Sequence, residues 1–209
     1  MTGLCNARIA LALSGLLAFA AVSAADQAPA PKVETVDVAD APAIGAEGAP
    51  VTLVIFADVG GVTAGGLGVI VHGLVEKYAA ELRICFRHAP AADQPEHVLA
   101  NRAAIAAGEQ GKFWQMLDLL LANQARQGIE HLSAMAAQLG LDTTRFSEDI
   151  DSVTTHQRID ADHQQAASLK IGVNPTFFVN GVRLTGAKSL AELSALIDAQ
   201  LSQSRRGDR

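Results

Sequence analysis

The chain has 209 residues, 49% of them hydrophobic and 18% charged, with 16 Lys and Arg against 22 Asp and Glu for a formal charge of −6. That composition builds a packed core and excludes a disordered chain. Cys5 and Cys85 are too few for a disulfide scaffold and match no zinc spacing. An acidic chain with scattered basic residues, one Trp and one Tyr offers nucleic acid neither a charged footprint nor a stacking platform.

Residues 1–24 read as a secretory signal peptide. Arg8 is their one charged residue, Ile9 to Val22 is apolar, and Val22-Ser23-Ala24 supplies small residues for cleavage near Ala24. The apolar run is about 14 residues, short of the roughly 20 that span a bilayer. The expected product is periplasmic or secreted and meets the membrane only during export. It then keeps one cysteine, Cys85, either a buried small hydrophobe or a free thiol.

Residues 25–46 form a leader, Ala/Pro-rich over 25–32, in which Val33 to Val38 is a candidate edge strand. Residues 39–50 hold two Pro and two Gly and read as a connecting loop. Val51 to Ala57 is an apolar, β-branched run suited to a strand covered on both faces. A glycine-rich turn over 59–68 leads into a helix with apolar residues at Val71, Leu74, Val75 and Tyr78. Each Gly inside a helix costs about 1 kcal/mol relative to Ala, so this helix should begin late, near Leu67. Leu82 to His88 is a second strand, making a parallel crossover unit. Residues of about 96–168 then read as consecutive helices broken at Gly111, Gly128 and Gly140, an all-helical insertion in an α/β frame. Pro175 to Asn180 is a strand, Asn180-Gly181 a hairpin turn, Val182 to Thr185 the return strand. A last helix starts at a capping box of Ser189 and Glu192 and ends near Leu201, and 202–209 should be a flexible tail.

The glycines are not a nucleotide loop: the third glycine of Gly-x-Gly-x-x-Gly is Val71, and no Lys-Ser/Thr follows. His156 and His163 share a predicted helix with Asp160 but lack further ligands, so they read as a solvated face and no metal site is expected. Nothing in the sequence calls for a cofactor. Arg87-His88 reads as structural or as lining for a groove.

The order strand, helix, strand, helical insertion, X-Pro strand, hairpin, helix resembles the thioredoxin fold, and the insertion resembles the DsbA-like branch of exported thiol-disulfide oxidoreductases. APVTLVIFAD, LRICFRHAP, GEQGKFWQMLDLLLANQ and GVNPTFFVNGVRLTGA carry the likeness. Together they imply one DsbA-like domain over residues 47–201. Members read roughly F-x-D-x-x-C-P-x-C after the first core strand. Here Gly61 and Ala64 stand at the two cysteine positions, with Val62 and Thr63 between, and Ile55 stands where many members carry a buried acid. Disulfide exchange needs one thiolate to attack and a second thiol to resolve the mixed disulfide. The resemblance therefore implies a family of oxidoreductases but, for this chain, a degenerate site without dithiol chemistry. It also implies a cis Asn174-Pro175 bond and a peptide groove formed by Gly60, Gly61, Thr63, Asn174, Pro175 and Thr176. The expected partner is a polypeptide client or an envelope protein. The rival expectations are a glutathione-dependent isomerase or transferase with Thr63 as its hydroxyl, and a purely structural envelope subunit.

Overall fold

A computed structural model of the chain describes residues 31–207. The expected signal peptide lies outside the described residues, as does most of the leader before Lys32. In chain order the elements are β1 (Ala43–Gly45), β2 (Val51–Ala57), α1 (Leu67–Tyr78), β3 (Leu82–His88), α2 (Pro95–Gly108), α3 (Phe113–Ala122), α4 (Ile129–Gln138), α5 (Thr143–Ile150), α6 (Val153–Ser168), β4 (Thr176–Val179), β5 (Val182–Thr185) and α7 (Leu190–Gly207). The sheet runs β1-β3-β2-β4-β5. β2 and β3 are parallel, which requires the crossover that α1 provides; the other pairs are antiparallel. Asn180 (φ +45) and Gly181 (φ +81) turn β4 into β5 in the left-handed region that two-residue hairpins require.

Three sequence expectations are corrected. Val33 to Val38 is not a strand: only Val33 bridges, to Val182. The carbonyls of Asp37 and Ala39 instead accept from the Arg87 guanidinium, so they are spent before a ladder can extend. The supposed loop 39–50 contains β1, whose three residues pair with β3 and are too few to show alternation. The tail is helical through Gly207: α7 continues past Leu201, with Arg205 paired to Glu81 and two arginines in the last turn, where cations suit the helix dipole. The capping box forms as expected, Ser189 N–H donating to Glu192 Oε2 (2.8 Å) and Glu192 N–H to Ser189 Oγ (3.2 Å).

Side chains alternate across the sheet. Leu53, Ile55, Ile84, Phe86, Phe177 and Val179 join α1, α7 and the helical insertion in the larger core. Val54, Phe56, Cys85 and Phe178 face the other way, under Ala166 of α6 and the segment carrying Val36 and Val38. α6 is also held by a buried ion pair. Asp162 accepts from Arg87 Nη1 (2.8 Å) and from the His88 N–H (2.8 Å), and both charged side chains are nearly free of solvent. Removing one partner of such a pair leaves a buried charge uncompensated. Asp162→Ala is expected to lower unfolding free energy by about 3–5 kcal/mol in urea titrations; a loss of only a few tenths would mean that the pair is dispensable.

Candidate functional site: a glycine turn beside a cis-proline loop

β2 delivers the chain to Asp58 and Val59, both buried. Gly61 N–H then donates to Asp58 O (3.0 Å), a single 3-10 turn spans Val62–Ala64, and α1 starts at Leu67, where the glycine crowding placed it. Position 61 is partly open to solvent and position 64 is 1% exposed. Gly61 has φ −76 and ψ 134, a conformation any residue adopts, and a Cβ there would meet nothing nearer than 3.4 Å. The frame could thus carry one accessible and one shielded sulfur, and this chain carries neither. Val62 between them is 87% exposed, and the Thr63 hydroxyl has no partner among the described residues.

Asp58 is the hub beneath the turn. Its Oδ1 accepts from Gly60 N–H (3.0 Å) and Asn101 Nδ2 (3.0 Å), and its Oδ2 accepts from His97 Nδ1 (2.7 Å). A carboxylate only accepts, so His97 carries its proton on Nδ1 in the neutral ring. Asn101 Nδ2 is committed to Asp58 and to the His97 carbonyl, so its Oδ1 faces His88 Nδ1 (2.9 Å) and accepts from it. That leaves His88 Nε2 as a bare lone pair, buried and without a partner among the described residues, beside the rings of Phe86 and Phe113. Burial pushes the His88 pKa down, against the nearby Asp162 carboxylate and the Asn101 hydrogen bond, which push it up. Gly60 is required here by close approach: a Cβ would sit 2.6 Å from His97 Cγ and 2.9 Å from Gln127 Oε1. Gln124 Nε2 donates to Gly61 O (2.6 Å), pinning the turn to the insertion.

The Asn174-Pro175 peptide bond is cis. The β2–β4 ladder ends at the Phe56–Thr176 pair, so Asn174 lies just beyond it. Neither the N–H nor the C=O of Asn174 is paired with another described residue. Its side chain donates to Ala89 O (2.9 Å), while Oδ1 is buried and unpaired. Val173 is 49% exposed. A concavity of about 360 Å³ opens next to this loop, lined by Pro90, His163, Ile171, Val173 and Asn174 among others.

The structure separates the expected groove residues. Gly61, Thr63, Asn174 and Pro175 belong to neighbouring loops at one end of the sheet. Gly60 does not line a groove, because His97 and Gln127 cover it. Nor does Thr176, which is fully buried with its hydroxyl donating to Val173 O (2.6 Å). Cys85, the sole cysteine among the described residues, is fully buried mid-strand, and desolvation pushes its thiol pKa up. His163 is partly buried, with Nε2 at 3.0 Å from Pro90 O, so it is part of the loop packing and not only of a solvated face. Among the described residues there is no cluster of His, Cys, Asp and Glu able to hold a metal ion, and no helix long and apolar enough to cross a membrane.

A five-stranded mixed sheet with an all-helical insertion before a cis-proline strand is the DsbA-like form of the thioredoxin fold. The family model described as Thioredoxin matches residues 37–199, and the chain belongs to that family. Among solved structures, alpha-DsbA1 from Wolbachia pipientis is similar at 17% identity with a TM-score of 0.75, covering 83% of this chain and 97% of that one. A thioredoxin-like oxidoreductase from Silicibacter pomeroyi is similar at 24% identity and a TM-score of 0.70, over 79% and 92% of the two chains. A curated relative is the Na(+)/H(+) antiporter NhaA of Herminiimonas arsenicoxydans, 39% identical over 132 residues. That match takes in 63% of this chain but only 20% of the antiporter, so the chain corresponds to about a fifth of that relative's length.

Sequence reasoning missed His97, Asn101, Gln124 and Gln127. The available signal was two polar residues four apart on a helix otherwise rich in alanine. A histidine whose folded pKa is depressed is protonated in the unfolded chain first, so its contribution to stability holds above about pH 6.5 and is lost as pH falls below it. His88→Gln is therefore expected to flatten the fall in urea midpoint between about pH 7.5 and 5.5; an unchanged fall would assign it to other groups.

Proposed function

We propose that this chain is an exported, non-catalytic thioredoxin-fold module that binds an extended segment of a partner protein along the Asn174-Pro175 loop. The observation that carries this reading is the combination at one end of the sheet: no sulfur at positions 61 and 64, and an unpaired backbone at Asn174, just before β4. Without two thiols there is no attack and no resolution, so electrons do not pass through the glycine turn. The free N–H and C=O of Asn174 can accept an added strand, with main-chain hydrogen bonds giving affinity and the adjoining concavity receiving a side chain. Val62 and Val173 supply exposed apolar area beside it. The same kind of module occurs within a polypeptide named as an antiporter, which supports a membrane protein of the envelope as the partner. Export rests on the signal-like residues 1–24, cleaved near Ala24.

Two measurements test this. In an insulin-reduction assay the purified protein should give no turnover; reduction above the uncatalysed rate would overturn the loss of redox activity. A fluorescent, carboxymethylated unfolded polypeptide should bind saturably, and Asn174→Pro, which removes the free N–H, should weaken it about tenfold, the scale of one lost hydrogen bond to a desolvated acceptor. Equal binding by that variant, with an unchanged unfolding midpoint, would rule out strand addition at this loop.

A further inference from the structure

A second cleft, of about 440 Å³, lies between the segment that leads into β1, the end of α2, the start of α3 and the first turns of α6. It shares no lining residue with the glycine turn or the cis-proline loop. Its size is within the range of small-molecule sites. Ile105 and Phe113, both buried, give it an apolar floor. Trp114 packs edge-on to Phe113 (5.3 Å between centroids, 85°), and its indole N–H donates to Ala43 O (3.2 Å), which holds the ring across the gap from α3 to β1.

Three charged side chains line the same cleft: Arg158, Asp40 and Glu109. Opposite charges sharing a cleft would ordinarily form a charge-assisted pair. These do not pair with one another, and Arg158 makes no hydrogen bond to any described residue. Its Nε is shielded from solvent and has no acceptor, a costly state for a guanidinium donor. The separation comes from the fold. Asp40 sits in a turn with φ +55, Glu109 is the residue that caps α2, and Arg158 is on the second turn of α6. The carboxylates are exposed at the rim and the guanidinium is half-buried.

We propose that this cleft binds a free amino acid with an aromatic side chain, its carboxylate on Arg158, its ammonium group at Asp40 and Glu109, and its ring against Phe113 and Trp114. A simple anion would satisfy Arg158 but face two carboxylates. A simple cation would leave the guanidinium unpaired. A molecule that carries both charges and an apolar body answers all three groups and the floor.

Trp114 is the only tryptophan in the chain, so its emission reports on this cleft directly. Titration of the purified protein with phenylalanine should give a saturable change in tryptophan emission in the millimolar range or below. Phenylalaninamide, which lacks the carboxylate, and phenylacetate, which lacks the ammonium group, should each bind at least about tenfold more weakly. Arg158→Gln should abolish the change. Arg158→Lys, which keeps the charge and loses the fork, should weaken binding about tenfold with an unchanged unfolding midpoint, so the assignment stays testable if the glutamine variant does not fold. No saturable change with phenylalanine, equal affinity for the amide, or unaltered binding by either Arg158 variant would overturn the proposal.

Discussion

The Asp58 carboxylate fastens the end of β2, the glycine turn that follows it and α2 to one another. It stands where β2 stops, and its two oxygens take the first N–H of the glycine turn, the amide of Asn101 and the ring of His97. The turn is thereby bent back onto the sheet and the sheet is locked to the helical insertion. Asn101 passes the connection to His88, whose backbone N–H meets Asp162, which in turn holds Arg87 and, through it, the carbonyls of Asp37 and Ala39. A continuous polar chain therefore runs through an otherwise apolar interior, from the turn to the segment before β1. In a low dielectric such a chain is strong when every member is satisfied and costly when one is not.

This frame holds the turn without help from any sulfur. Position 61 is partly open and position 64 is shielded, on the turn before α1, because Asp58, Gln124 and the 3-10 turn set the backbone and not because any sulfur does. Gly61 and Ala64 leave the turn without sulfur and leave intact what holds the loop. The neighbouring cis-proline loop depends on different contacts, with Asn174 held by Ala89 O and Thr176 turned inward onto Val173. The glycine turn and the cis-proline loop are thus mechanically separable.

Much of this was legible in the sequence, for reasons specific to each element. The run Val51 to Ala57 is buried on both faces, so its composition announced it, and the glycine stops and apolar spacings marked the inserted helices. The identities at 61 and 64 were readable because a motif is local. β1 was not readable: three residues, AIG, carry no period. Nor was the hidden role of Val33 to Val38, in which Val36 and Val38 pack on the sheet while the Asp37 carbonyl is claimed by Arg87, 50 positions away. The Asp58 network was invisible for the same reason. His97 and Asn101 declare nothing until folding brings α2 against the end of β2, and a sequence has no local signature for a hydrogen bond across 39 or 43 positions.

Cys85 is sequestered from chemistry by the fold. Its sulfur is walled in by Val54, Phe56 and Phe178 at the middle of the sheet, and burial keeps the thiol protonated. While the domain stays folded, the sole cysteine of the described residues is out of reach of glutathione, peroxide or a neighbouring cystine. An adduct on Cys85 would therefore report unfolding of the domain rather than reaction of its native state.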